Sequence, residues 1–298
     1  MLPVGVAVTI GVPVYNGENY LAQALSSIEQ QTYENITVLV SDNASTDGTE
    51  QIGRSFASRD KRFVYWRNEK NIGAVPNYNK VFHAAQTPLF KWAAHDDWIE
   101  PRFVEACVEG LEHDPGAILA FTGARQVDEH DQETTPLIHY TEITAEDPVE
   151  RFREIVRRER LNLAIFGVVR HEVLERTHLQ GTYHASSRVL VSELAILGRF
   201  IRVPDVLFVH RNHPSGSLRA YNNAHELRNW YDTSKSAKGY MPRWAYLGGL
   251  LKAAEIGDLT LPQRMAVRAE AFRWAAEKPK GLFGDLVVAG KGVVGSKG

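Results

Sequence analysis

Four short polar runs each follow an apolar, strand-like stretch, and their side chains define the chemistry this chain could support. His95-Asp96-Asp97-Trp98 sets two adjacent carboxylates after the apolar run Leu89 to Ala94. Carboxylate oxygens are hard ligands that suit Mg2+ or Mn2+, cations that also take phosphate oxygens. The same pair also reads as a capped turn before the helix that opens at Pro101. Ser41-Asp42-Asn43-Ala44-Ser45-Thr46-Asp47-Gly48-Thr49 places Asp42 directly after the apolar run Ile36 to Val40. There it is either a buried acceptor or the acceptor of an Asx-turn. Asp47 reads as the cap of the helix at Gly48. Pro13-Val14-Tyr15-Asn16-Gly17-Glu18 and Asn71-Ile72-Gly73 complete the set. Pro13 and Tyr15 also fit a plain strand-to-helix turn, and Glu18 a first-turn acid favoured by the helix dipole.

The elements that must position these loops follow from hydropathy. β-Branched or apolar runs at Val6–Val12, Ile36–Val40, Phe63–Trp66, Leu89–Ala94 and Ala117–Phe121 predict strands. Helical spacing at Asn19–Gln31, a capped start near Gly48, and Val75–Ala85 and Pro101–Glu112 predict helices between them. Alternation of this kind implies parallel strands joined by crossovers, and such sheets bind ligands at the carboxyl ends of their strands. All four polar runs fall at that edge. Further on, the sequence predicts a charged helix over Asp147–Glu159, a helix over Arg188–Leu197, an extended segment over Phe200–His210, and mostly helix from Tyr221 to about Glu277. The segment from Lys278 to Gly298 is rich in Gly and Lys and is expected to be mobile.

Composition narrows the classes. The chain has 298 residues, 44% hydrophobic and 23% charged, with a formal net charge of −2. These are ordinary globular values, and no basic field selects nucleic acid. The single cysteine, Cys107, lies in a helical pattern and reads as core packing. The first residues show no secretory pattern and no run approaches a membrane span. The expectation is a cytoplasmic protein, with Phe283–Val288, flanked by lysines, as a candidate contact with a membrane surface.

The runs together resemble a known family. Val8-Thr9-Ile10-Gly11-Val12-Pro13-Val14-Tyr15-Asn16 is similar to the opening strand of family 2 glycosyltransferases. Val38 to Thr49 is similar to their second strand and its DxSxDxT-type loop, Asn71-Ile72-Gly73 to their N-x-G segment, and His95-Asp96-Asp97 to their DxD motif. Val209-His210-Arg211-Asn212-His213 resembles their R-x-H segment. The resemblance covers roughly residues 6–215. It implies a GT-A fold: an α/β, mostly parallel Rossmann-like sheet flanked by helices, over residues 1–215. A helical C-terminal appendix occupies 216–298.

The resemblance also implies roles. Asp97 would be the main ligand of Mn2+ or Mg2+, with Asp96 on the ribose or the metal and His213 as a third ligand. Asp42 would accept a hydrogen bond from the base, usually uracil. Pro13 and Tyr15 would stack on the base, Glu18, Asn43, Asn71 and Gly73 would lie along the nucleotide, and Arg211 would fork onto a phosphate. The activity implied is metal-dependent inverting transfer of a sugar from a nucleotide-sugar donor, a UDP- or dTDP-sugar, to a hydroxyl acceptor: a glycan, a lipid-linked glycan or a small molecule. His213 and Arg211 also fit an exposed turn closed by Pro214.

The resemblance departs from the family at the base. Ser187 stands where the family carries an Asp at a helix start, in Ala185-Ser186-Ser187-Arg188-Val189-Leu190. The nearest carboxylate is Glu193, which helical spacing places on the apolar face. It is either the acid–base group or half of a structural pair with an arginine. His184, just upstream, is the other candidate. Trp230, Tyr231, Trp244 and Tyr246 fit an acceptor groove or core packing. The departure at Ser187 leaves a second class open: a non-catalytic nucleotide-sugar-binding protein. Dinucleotide and P-loop enzymes are disfavoured because neither glycine-rich signature is present.

Overall fold

The computed structural model describes residues 5–138, 142–157, 162–214, 216, 224–235 and 239–294. Its first part alternates strictly. Strands β1 (Val8–Val14), β2 (Ile36–Asp42), β3 (Phe63–Arg67) and β4 (Leu89–Trp92) are separated by helices α1 (Leu21–Glu29), α2 (Thr49–Arg59) and α3 (Ala74–His83). The four strands are parallel in the order β3-β2-β1-β4. β1 is buried along its whole length, as a strand covered on both faces must be. Gly11 lets α3 close on it: a Cβ there would lie 2.6 Å from Val81 Cγ2.

The second part is mixed rather than parallel. β5 (Trp98–Ile99), α4 (Phe103–His113), β6 (Ala117–Val127) and β7 (Glu133–Ile138) are followed by α5 (Pro148–Arg157) and a 3-10 turn at Asn162–Phe166. Then come β8 (Val168–Arg170), α6 (His171–Leu174), α7 (Ser186–Leu197) and β9 (Arg199–Arg211). Among the described residues the sheet has nine strands and continues β4-β8-β6-β9-β5, with β7 on β6. β8 runs antiparallel between β4 and β6, while β6 and β9 are parallel. β8 has three residues and β5 two, too few to show alternation, so sequence patterning passes over both.

Lys91, in the middle of β4, is fully buried and its ammonium donates to Trp92 O at 3.1 Å and Phe166 O at 2.5 Å. Burial pushes its pKa down to about 8. The bond ties the 3-10 turn to the strand that carries Asp96 and Asp97. Cys107 packs in the core as expected, its thiol pushed up to about 12 by burial.

Among the described residues four α-helices follow the sheet: α8 (Ala224–Tyr231), α9 (Pro242–Lys252), α10 (Leu261–Glu277) and α11 (Pro279–Val294). α10 starts with a capping box between Thr260 and Gln263. A second apolar cluster joins α9 and α10 to α5 and α7 through Phe152, Val189, Ile196, Leu250 and Val267. The segment expected as a loose tail carries α11. Its Gly and Lys content favours a mobile chain, but Leu282 and Asp285 find partners on α9: Trp244 Nε1 donates to Leu282 O at 3.0 Å, and Arg243 Nη1 to Asp285 at 2.7 Å.

Glu270 of α10 bridges to α5. It accepts from Arg157 Nε at 2.9 Å and from Arg273 Nη2 at 2.6 Å. Burial opposes its charge, but the two guanidinium groups outweigh burial and bring its pKa down to about 2. A carboxylate depressed on folding stabilises the fold above its unfolded pKa, and that stability is lost as pH falls toward the folded value. Glu270→Gln should therefore lower stability at neutral pH by roughly 1–3 kcal/mol. Urea unfolding curves should converge with those of the unmodified protein as pH falls from 4.5 toward 2.

Candidate functional site

The β1–α1 and β2–α2 loops are laced together. Asn16, at φ 50, takes a hydrogen bond from Thr46 N at 2.8 Å on Oδ1 and donates its own N–H to Ser45 Oγ at 2.9 Å. Gly17 N donates to Thr49 Oγ1 at 2.8 Å. Glu18 Oε2 accepts from Gly48 N at 2.8 Å, so this acid sits at the amino end of α2 rather than in the first turn of its own helix. Asp47 caps α2 as expected, accepting from Thr49 N at 3.0 Å and Oγ1 at 2.6 Å. Burial works against the Asp47 charge, and the bonds from Thr49 and Glu18 outweigh it, leaving its pKa below the usual carboxylate range. Pro13 lies inside buried β1 and Tyr15 stands exposed beyond its end.

Asp42 ends β2, fully buried. Its Oδ1 accepts from Ser45 N at 2.8 Å, and its Oδ2 from Tyr65 OH at 2.7 Å and Arg67 Nη1 at 2.8 Å. A carboxylate offers about four acceptor positions, so three are used within the fold. Burial, and then the Asp42 carboxylate, push the Tyr65 phenol up. Sequence reading passed over Tyr65 and Arg67, since β3 was expected to end at Trp66; a guanidinium directly after a strand was the available signal.

Asn43 organises the next loop. Its Oδ1 accepts from Ile72 N and Asn68 Nδ2, both at 3.0 Å, and its Nδ2 donates to Asn71 Oδ1 at 2.9 Å and Gly73 O at 3.1 Å. Gly73, at φ 90, opens α3. A Cβ there would meet the Asp232 backbone at 2.6 Å, so Gly is required both by conformation and by the close approach of the segment after α8.

The two adjacent aspartates divide. Asp97 is buried, and its Oδ1 accepts from Arg211 N at 2.9 Å and His210 Nδ1 at 3.0 Å. Burial, with the Asp96 charge, holds its pKa above the usual range despite His210. Asp96 instead turns to His213, with Oδ2 3.0 Å from Nε2. Burial raises its pKa, but the His95 and His213 charges outweigh this and bring it below the usual range. The His213 ring packs edge-on against Tyr20, centroids 4.8 Å apart.

Arg211, expected to fork onto a phosphate, is buried and turned inward. Nε donates to Asp96 O at 3.1 Å, Nη2 to Gln23 Oε1 at 2.5 Å, and Nη1 to Asp131 and Asp128 O. Its guanidinium lies 4.3 Å from the Tyr20 ring centroid and 5.0 Å from that of Trp98. All three guanidinium nitrogens are engaged inside the protein.

No group of three or more His, Cys, Asp or Glu converges among the described residues. Asp96 and His213 nevertheless fit a divalent cation. Adjacent ligands of an octahedral Mg2+, each at ~2.0–2.1 Å, stand ~3 Å apart, which is the spacing of Asp96 Oδ2 and His213 Nε2.

Near the start of α7 the expected candidates separate. Glu193 is 1% exposed, and its partner is a histidine rather than an arginine: Oε2 accepts from His178 N at 2.9 Å and Oε1 from His178 Nδ1 at 2.8 Å. Burial raises its pKa against the pull of His178. Ser187 lies in the first turn of α7, after Ala185 at φ 62. His184 is exposed at that opening, its N–H bonded to Tyr240 OH at 2.9 Å and its Nδ1 3.4 Å from Tyr231 OH. Desolvation, with the Arg243 and Arg188 charges, holds its pKa below the ordinary 6.5. Tyr231 and Asp232 also lie against Gly73, so one layer of chain separates His184 from the Asn71–Gly73 loop. Of the other aromatics, Tyr246 is core, stacked 4.7 Å from Trp274, and Trp244 anchors α11.

Comparison with known proteins fits this arrangement. A "Glycosyltransferase GlyA" of Streptococcus pneumoniae is 39% identical over 98 residues, 33% of this chain and 14% of that protein. An uncharacterized glycosyltransferase of Rickettsia typhi is 32% identical over 123 residues, 41% of this chain and 37% of that protein. The chain thus spans well under two thirds of either relative. Among solved structures, S. aureus TarS with UDP-GlcNAc matches 94% of this chain and 79% of its own at TM-score 0.65 and 15% identity. Mannosyltransferase PcManGT from Pyrobaculum calidifontis with GDP-Man and Mn2+ matches 96% and 75% at TM-score 0.57 and 19% identity. These likenesses concern the fold, which is of the GT-A kind. Residues 9–175, more than half of the chain, match the profile of Glycosyl transferase family 2, and the chain belongs to that family.

Proposed function

We propose that this chain transfers a sugar, with inversion, from a uridine or thymidine diphosphate sugar to a hydroxyl acceptor, and that a divalent cation assists. The observation that carries the reading is the convergence, at one edge of the sheet, of the buried Asp42 and the Asp96–His213 pair. Asp42 keeps one acceptor position beyond those filled by Ser45, Tyr65 and Arg67, and a shift of the half-buried Arg67 that covers it would open that position to the imide N–H of uracil or thymine. Tyr15 stands exposed where a base would stack. Asp96 and His213 would hold Mn2+ or Mg2+, which supplies neutralisation of charge growing on the departing diphosphate. The GDP-Man and Mn2+ bound to PcManGT agree with a cation in this fold. Asp97 and Arg211 are assigned to positioning: Asp97 Oδ1 holds β9 through His210 and the Arg211 N–H, and the Arg211 guanidinium holds the Asp96 carbonyl.

The chain's own groups account for the proton. The acceptor oxygen forms a bond to the anomeric carbon as the bond to the diphosphate oxygen breaks, and the hydroxyl proton must leave. Ser187 has no useful basicity. Glu193 has both oxygens on His178 and is assigned to anchoring the turn before α7. We assign proton acceptance to His184 Nε2, with Nδ1–H directed at the Tyr231 oxygen. Arg188 and Arg243 favour its neutral, basic form.

Three outcomes test this reading. Release of nucleoside diphosphate should accompany consumption of a UDP- or dTDP-sugar, and should fall at least ~100-fold in His184→Gln, a typical share for a positioned base. Donor affinity should be kept in that variant, whereas Glu193→Gln should lose thermal stability more than turnover. Turnover of the unmodified protein should fall as pH drops, with its midpoint below 6.5; full activity in His184→Gln removes the assignment. Asp42→Asn should weaken binding of uridine diphosphate by ~1–3 kcal/mol, while ribose 5-phosphate, which lacks the base, binds both proteins equally. Equal losses for both ligands would make Asp42 a loop support only.

A second reading rests on Ser187. If the chain only binds a nucleotide-sugar, no donor yields free nucleoside diphosphate with the unmodified protein, and Ser187→Asp creates turnover.

A further inference from the structure

Helix α11 carries an apolar face that nothing among the described residues covers. One side is anchored: Leu282 and Asp285 are buried, and Arg243 N and Nη1 each reach the Asp285 carboxylate at 2.7 Å. Away from that side Phe283 and Val287 are exposed, Phe283 to 67%, and Leu286 and Val288 are exposed on its two flanks, Val288 to 60%. At ~100° per residue, Phe283 and Val287 lie ~40° apart and ~100–160° from Leu282 and Asp285. A helix side facing water ordinarily carries charged and polar residues.

Charge selects the occupant. Residues 278–298 hold four lysines, Lys278, Lys280, Lys291 and Lys297, and one acid, Asp285, a side-chain charge of 4 − 1 = +3 in a chain whose total is −2. The single acid is already paired with Arg243. Two copies meeting through this face would bring like charges together across a two-fold contact. An anionic surface takes both the lysines and the apolar side chains.

We propose that α11 is an interfacial helix that docks on an anionic lipid surface, with Phe283 and Val287 among the acyl chains and Lys280, at the amino end of the same stripe, extending its ammonium to the headgroups. It lies on the bilayer. At 16 residues it is ~24 Å long, short of a ~30 Å hydrocarbon core, and no helix among the described residues is long and apolar enough to cross a membrane. The proposal is independent of the sugar-transfer reading.

Co-sedimentation of the full chain with vesicles tests it, using phosphatidylcholine alone and phosphatidylcholine mixed with phosphatidylglycerol. The chain should pellet with the mixed vesicles only, and less so at high salt. Phe283→Ser with Val287→Ser should weaken binding at least ~10-fold, by removing the apolar contact. Lys280→Glu with Lys291→Glu should abolish the preference for anionic vesicles. Circular dichroism and uridine diphosphate binding serve as folding controls. The proposal is overturned if the unmodified chain stays in the supernatant with both vesicles, or if the serine variant pellets unchanged. It is equally overturned if sedimentation velocity shows a dimer that the serine change dissociates while no vesicle binding occurs; the face would then belong to a second copy.

Discussion

The Arg211 guanidinium is the contact on which the donor edge depends. A buried charge is tolerated only when it is paired and its donors are used, and here the pairing spans four chain segments. Gln23 comes from α1, Asp128 and Asp131 from the β6–β7 turn, the Asp96 carbonyl from the loop after β4, and Tyr20 and Trp98 lie close to the guanidinium. The Arg211 backbone N–H also holds Asp97. One residue therefore fixes where the β4 loop lies against β9, and with it the separation of Asp96 from His213. Truncating Arg211 would leave the Asp96 carbonyl without its donor and Asp131 with only Gln23 Nε2 at 3.4 Å, so the loss would spread across the loops it joins.

The same logic of filled valences separates positioning from binding. Arg211 and Glu193 have their polar atoms consumed inside the protein, and Asp97 spends its Oδ1 on His210 and the Arg211 backbone. Asp42 keeps capacity after three bonds, and Asp96 and His213 face each other at a spacing that a cation can bridge. His184 carries an exposed ring. We read the first set as scaffold and the second as the groups that meet donor and acceptor. The exposed side of α11 stands apart from both, oriented by Asp285 and Leu282 alone.

Much of this was legible in the sequence. β1, β2 and β4 and the helices between them follow from hydropathy because strands buried on both faces read as continuous apolar runs, and the half-exposed edge strand β3 follows from its short apolar and aromatic run. The polar loops at their carboxyl ends, and Asp47 as a cap, follow from turn chemistry. What stayed hidden is side-chain pairing over long separations. Nothing in His95-Asp96-Asp97 says which carboxylate faces inward; that is decided by β9, more than a hundred residues on. Glu193 reads as a buried acid needing a partner, but the partner is a histidine in a turn without periodicity. Arg211 reads as a phosphate fork until Gln23 and Asp131 are brought to it. β8 is too short to announce itself, and α11 is stabilised by contacts with α9 that override its glycine-rich composition.

The division of labour between the adjacent aspartates is the central claim, and calorimetric titration of uridine diphosphate with and without Mn2+ tests it most directly. Asp96→Asn should keep the thermal midpoint of the unmodified protein and lose the Mn2+-dependent part of the affinity. Asp97→Asn should lower the thermal midpoint, because the bonds from His210 and the Arg211 backbone weaken, and should retain Mn2+-dependent binding in the fraction that stays folded. The opposite pattern, with metal dependence intact in Asp96→Asn and lost in a fully folded Asp97→Asn, would contradict the account.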